Sequence, residues 1–224
     1  MRNWKAFFAL VPMLILWLGA AQAGPVAGVV TNVSGPLTAR SASGAVRVLA
    51  LKSEVESGDT LITSPDAYAL VKFIDNSELA LKPDTTVAID QFSFLDARPE
   101  DDHAAFTLVK GGLRSITGLL GKRSKERMMV KTPSATIGIR GTTFFLEYIA
   151  APGQAAASPG LDPGLHVHVS AGGISITNEA GAFQYDQGQF GYIKDYKTHP
   201  VKMYANPGMR FTPPPSFGAG DVLQ

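Results

Sequence analysis

The sequence predicts an all-β protein of many short strands, rolled or stacked in a β-solenoid or sandwich-like fold. Three observations lead there. Apolar and polar residues alternate over short runs, the period of a half-buried strand. Glycine (23 residues) and proline (15 residues) fall between those runs, where strands end and tight turns begin. Short segments also recur as a weak internal repeat: Thr63-Ser64-Pro65-Asp66-Ala67 resembles Thr132-Pro133-Ser134-Ala135, and Val33–Leu37 resembles Val169–Ile174.

The elements follow in chain order. Val26–Val33 alternates and stops at Ser34-Gly35-Pro36. Leu37–Arg40 and Val46–Leu49 flank a turn at Ser43-Gly44. Gly58-Asp59 is a turn before Leu61–Thr63, and Ser64-Pro65-Asp66 is a break. Ala67–Phe73 and Glu78–Leu81 form the clearest hairpin, because Asp75-Asn76-Ser77 between them tolerates positive φ. Val87–Phe92 has period two, and Asp96–His103 is an acidic surface loop. Phe106–Val109 ends at Gly111-Gly112, with Leu113–Ile116 beyond. Ile116 to Lys125 is the best helical stretch, but Gly118 and Gly121 reduce it to a loop or one turn.

The N-terminus is of another kind. Arg2 and Lys5 precede an apolar run from Ala6 to Leu18, broken only by Pro12, and Ala21-Gln22-Ala23 is a small-x-small cleavage pattern. Residues 1–23 therefore read as a cleavable signal peptide, the other reading being a retained N-terminal anchor. After cleavage no membrane span is expected, and the location is periplasmic or secreted. Residues 24–205 make the β domain, with a mobile Pro/Gly/Ala-rich loop at about 150–164 and a Pro/Gly-rich disordered tail at 206–224.

Composition excludes several functions. With no cysteine there is no disulfide and no Cys-ligated metal or cluster. Without Arg2 and Lys5, 18 basic residues face 19 acidic ones, which gives no overall field for nucleic acid. No nucleophile elbow, phosphate loop or H-E-x-x-H occurs, so neither an enzyme nor a cofactor is expected. His166 and His168 would share a strand face, yet no third ligand has diagnostic spacing; His103 and His199 fall in loops, and no metal is expected. Tyr185, Tyr192, Tyr196 and Tyr204 read as half-buried sheet residues, with a sugar-binding surface as the alternative.

The most distinctive stretch is Val130–Phe144, VKTPSATIGIRGTTF. Thr132-Pro133 sets an extended start. Ala135, Ile137 and Ile139 share one face, Gly138 and Gly141 permit close backbone approach, and Arg140 faces away from Ile139. These residues closely resemble the signature of the FecR-type periplasmic domain family, T-P-x-A…RGT-F. Gly58–Thr63 and then Val71–Leu81 resemble that family's Gly-Asp, strand, Asp-Gly-Ser, strand block, with Asn76 in place of the usual Gly. Lys110–Arg114 lies where the family has a Gly-x-Leu/Val turn. The resemblance spans about Val29 to Ile193.

The founding members of that family relay signals, joining a periplasmic domain through a transmembrane helix to a cytoplasmic segment that controls a sigma factor. This chain departs from the plan and resembles stand-alone exported FecR-domain proteins. The resemblance implies an extracytoplasmic interaction domain whose partner is an envelope protein or a glycan. A self-associating β scaffold of a surface assembly is the alternative. Arg140, with Gly141 and Thr142, is one candidate contact, as an anchor for a carboxylate or glycan; its other reading is a structural arginine bonding turn carbonyls. The run Lys122, Arg123, Lys125 and Arg127 is the second, read either as a docking patch for an acidic partner or as a solvated loop.

Overall fold

A computed structural model of the protein describes residues 24–150, 158, 160–217 and 223. The expected signal peptide lies outside these residues, as do 151–157 and 159 of the expected loop. The fold is all-β. Its strands are β1 (Val26–Val33), β2 (Leu37–Arg40), β3 (Val46–Leu49), β4 (Glu54–Glu56), β5 (Thr60–Thr63), β6 (Ala69–Phe73), β7 (Glu78–Leu81), β8 (Thr86–Ser93), β9 (His103–Ile116), β10 (Met128–Lys131), β11 (Thr136–Ile139), β12 (Thr143–Ile149), β13 (Gly164–Ala171), β14 (Gly173–Asn178), β15 (Gly181–Asp186), β16 (Phe190–Ile193) and β17 (Val201–Met203). A single helical turn, α1 (Leu119–Arg123), stands where one turn at most was expected.

The 17 strands belong to one hydrogen-bonded sheet, folded into two facing leaves. The first runs β4-β1-β6-β7-β9-β12-β13-β16-β17. The second runs β3-β2-β5-β8-β9-β10-β11-β14-β15. All pairs are antiparallel except β9 with β10. Strand β9 is central to both leaves: His103–Lys110 pairs in the second, Gly111–Ile116 in the first. The sequence reading put a turn at Gly111-Gly112. The chain does not reverse there; Gly111, at φ +84°, bends a continuous strand from one leaf into the other. A side chain would collide with Thr85, whose Cα lies 2.6 Å from where a Cβ would sit.

On the C-terminal side of β9, hairpins are laid alternately in the second and first leaves, so each layer stacks on the last. Of the two recurrences, Val33–Leu37 and Val169–Ile174 both carry the chain from the first leaf to the second. Thr63–Ala67 and Thr132–Ala135 differ: one crosses between leaves, the other turns within the second.

Alternation sends Val30, Val71, Leu79 and Leu146 inward from the first leaf to meet Leu61, Val87, Ile137 and Ile176 from the second. Phe73 stacks on Phe92 across the gap, ring centroids 4.8 Å apart. Each such fully buried side chain contributes roughly 1.5–3 kcal/mol. A smaller apolar cluster sits on the outer face of the first leaf, where Met209 and Phe211 cover Ala80, Phe145 and Phe190. Residues 206–217 were expected to belong to a disordered tail; they carry Met209 and Phe211 between Pro207 and Pro213 and Phe217 after Pro215, and all three side chains are buried. The count of Pro and Gly obscured that apolar content. In the 150–164 loop, Ser158 is likewise buried and bonded to Glu147.

Candidate functional site

The two sequence blocks that stand out most converge on one short segment. Asp75, in the β6–β7 turn, is 1% exposed and accepts hydrogen bonds from the Ser77 amide and hydroxyl and from the Leu120 amide. The Asp75 carbonyl also accepts from the Leu119 amide. Gly118 makes this approach possible, since a Cβ there would lie 2.3 Å from the Asp75 oxygen. From the other side Thr142 clasps Thr117. The Thr117 hydroxyl donates to the Thr142 carbonyl at 2.6 Å and accepts from the Thr142 amide at 2.9 Å. The start of α1 is thus gripped by the Asp-x-Ser turn and by the RGT segment, and α1 leads into the basic run.

The basic run divides. The Arg123 guanidinium grips the buried Asp102 carboxylate with two bonds, at 2.7 and 2.8 Å, donates to the Leu95 carbonyl, and lies 4.3 Å from the Phe94 ring. That bond to Arg123, with a second from Ser124, holds Asp102 below the usual carboxylate range. Arg127 donates to the Pro99 and Glu100 carbonyls. Both arginines therefore pin the chain's own acidic loop. Lys122 and Lys125 remain exposed.

Lys125 stands over a groove of about 430 Å³ on the outer face of the second leaf. Arg140 is at its wall, with Thr136, Gly138, Ser175 and Gln184 among its lining. The guanidinium of Arg140 has a side chain 49% exposed and a loose 3.9 Å ion pair with Asp186. Gly141, at φ +65°, turns the chain out of β11 toward the first leaf, and the Thr142 hydroxyl donates to the Gly173 carbonyl. So the structure brings Arg140 and Lys125 together, while Gly141, Thr142, Arg123 and Arg127 hold the scaffold around them. Sequence reasoning missed Asp75 as anything beyond a turn residue, and missed Ser175 and Gln184 altogether. Only the Asp-x-Ser pattern pointed toward any of these.

The histidines stand apart. His166 stacks on Tyr192 at 4.9 Å and His168 on Phe190 at 4.0 Å, and each bonds a backbone carbonyl. Burial lowers both below the ordinary imidazole value. Among the described residues no group of three His, Asp or Glu is placed to hold a metal. The tyrosines are dispersed: Tyr185 is enclosed between the leaves and pushed up to about 12 by burial, whereas Tyr204 is fully in solvent. A further polar island lies on the first leaf. The Glu147 carboxylate accepts from the Lys82 ammonium at 2.8 Å and from the Ser158 hydroxyl at 2.8 Å, beneath the backbone of Arg210.

The profile of the FecR protein family matches residues 59–174, from Asp59 of the Gly-Asp turn to the start of β14. The chain belongs to the FecR family. The matched span holds Asp75, Thr117, Lys125, Arg140 and Thr142, so the clamp lies within the FecR region, whereas the groove wall also takes Ser175, Thr177 and Gln184 from beyond it. Among solved structures, a "putative anti-sigma factor" from Parabacteroides distasonis ATCC 8503 is similar at 12% identity and a TM-score of 0.49. That match covers 64% of this chain and 58% of the other, and a second crystal structure of it gives the same values. A cell surface anchoring domain is 27% identical over 28% of this chain and 83% of its own, with a TM-score of 0.28. No curated protein matches.

Proposed function

We propose that this FecR domain is an exported, non-enzymatic recognition module of the bacterial envelope that serves a signalling system. Its contact is the groove between the basic run and β11-β14-β15, and its partner is a protein that presents an acidic side chain. One observation carries the reading. Asp75 and Thr142, both inside the matched FecR span, spend their hydrogen bonds on fixing the start of α1, and the chain beyond it brings Lys125 to the same groove as a half-exposed Arg140. A planar guanidinium whose ion pair among the described residues is a loose 3.9 Å contact is suited to a bidentate bond with a carboxylate.

A glycan is the second reading, favoured by the hydroxyl and amide lining from Thr136, Ser175, Thr177 and Gln184. The scaffold alternative is less well supported at the open edge of β3. Arg47 points to the inner side of that strand and binds the buried Asp59, an inward charge that discourages edge-to-edge pairing. Export rests on the sequence of residues 1–23.

Cross-linking from intact cells tests the reading, with wild type and Arg140→Ala compared after both are shown to melt at the same temperature. A protein captured by wild type and lost in the variant supports it. Capture of the same protein equally by both forms, or of the chain alone, refutes it. Loss of binding on competition with a soluble glycan would move the assignment to the second reading.

A further inference from the structure

We propose that the outer face of the first leaf is a peptide-docking surface that the chain fills with its own C-terminal segment. The external ligand it fits is an extended polypeptide with an apolar and an aromatic residue two positions apart, followed by prolines. This face lies on the opposite leaf from the groove, and the inference is independent of it.

The seated segment shows what chemistry the face accepts. Met209 and Phe211 both turn down onto Ala80, Phe145 and Phe190. The Phe211 ring sits edge-on to Phe145 at 5.4 Å and to Tyr68 at 6.1 Å, with the Arg114 guanidinium 5.5 Å from its centroid. Phe217 likewise sits edge-on to Tyr68, at 6.1 Å. The polar contacts go to the segment's backbone: the Arg210 amide donates to the Ser158 hydroxyl, and Asn32 donates to the Ser216 carbonyl. Sockets for alternate side chains combined with bonds to main-chain groups are how a surface reads a linear segment. The Lys82–Glu147 pair beneath Ser158 holds that hydroxyl in place.

The same contacts make the segment releasable. It lies on the leaf without joining its ladder; the bridge of Phe211 is to Leu223 of the segment itself. Its apolar cluster is separate from the main core, so lifting it leaves the core closed. Three buried side chains hold about a dozen residues whose backbone entropy is recovered on release, which places opening well below global unfolding. The Asn206-Pro207-Gly208 turn, in which the Asn206 side chain accepts from the Gly208 and Met209 amides, is where the segment leaves β17. Pro213–Pro215 fix φ along the run that leads into the 3-10 turn Pro215–Phe217, which lowers the ordering cost for this segment and for any ligand built like it. While tethered, the segment holds a high effective concentration at the face, so an outside ligand gains access mainly when it is displaced.

The probe is a fluorescein-labelled peptide of residues 206–217, titrated by anisotropy against the full chain and against the full chain carrying Phe211→Ala and Phe217→Ala. The peptide is expected to bind the variant saturably and at least ten-fold tighter than wild type. Replacing its own two phenylalanines with alanine should abolish that binding. No binding to a variant that still melts cooperatively overturns the proposal. If the variant fails to fold, hydrogen exchange on wild type decides: the amides of 209–217 should exchange at least a hundred-fold faster than those of β12, and equal rates overturn it. A wild-type dimer that dissociates on Phe211→Ala also overturns it, in favour of a segment donated by a second copy.

Discussion

The Lys82–Glu147 pair offers the sharpest test of the packing on the first leaf. Its atoms are 2.8 Å apart, and the side chains are 8% and 2% exposed. At an effective dielectric constant of 20 that separation is worth about 6 kcal/mol of Coulomb attraction, and desolvating two ions costs several kcal/mol each. The pair therefore adds little net stability, while either ion alone is expensive. Lys82→Met removes the ammonium from the Glu147 carboxylate, which keeps the neutral Ser158 amide and hydroxyl as donors, and should cost about 3–5 kcal/mol. Glu147→Leu should cost a similar amount. The double replacement should return to within about 2 kcal/mol of wild type, the residue being the unpaired polar groups of Ser158. Both tryptophans, Trp4 and Trp17, fall before Gly24, so urea unfolding of a chain that starts at Gly24 is best followed by far-UV circular dichroism. Single variants that cost less than about 1 kcal/mol each, with additive effects in the double, would refute the reasoning and show a solvated pair.

Other outcomes follow from the same geometry. Asp75→Ala should lose about 2–4 kcal/mol, because three donors are left without their acceptor, and should speed amide exchange at Leu119 and Leu120. Ile137→Ala, at a fully buried site between the leaves, should cost about 2–5 kcal/mol by chemical denaturation. Lys125→Ala should leave stability within about 0.5 kcal/mol while abolishing partner capture. Stability should also plateau between roughly pH 6.5 and 10, read as melting temperature against pH. His166 is held low by burial, so the unfolded chain takes up the proton first and stability falls as pH drops below about 6.5. Tyr185 is pushed up to about 12, so the unfolded chain loses its proton first and stability falls as pH rises above about 10. A second acid loss comes from Asp102: its contribution is whole above about pH 4 and disappears as pH falls through its lowered value. His168, lowered by burial in the same way, adds to the first acid limb, so His166→Gln should shrink it and His166→Gln with His168→Gln should flatten it.

Local chemistry was legible in the sequence wherever it acts over a few residues. Alternation fixed which side chains of Ala135–Ile139 face the core, and Asn76 stands at φ +62°, as a tight turn requires. The glycines at 111 and 118 were visible as interruptions, but their sense was not. One bends a strand between leaves and the other admits the Asp75 carbonyl, and each depends on a neighbour distant in the chain. For the same reason composition could not separate Arg123 from Arg140. Both are arginines in Gly- and Ser-rich sequence, and only the fold puts the buried Asp102 against one and a groove with an exposed, loosely paired Asp186 against the other. The Lys82–Glu147–Ser158 island and the seating of Phe211 belong to that class too. Backbone preference and hydrophobic period are properties of a short segment and survive in the linear sequence, whereas charge pairing and burial of a loop or tail are set by which strands the two leaves bring together.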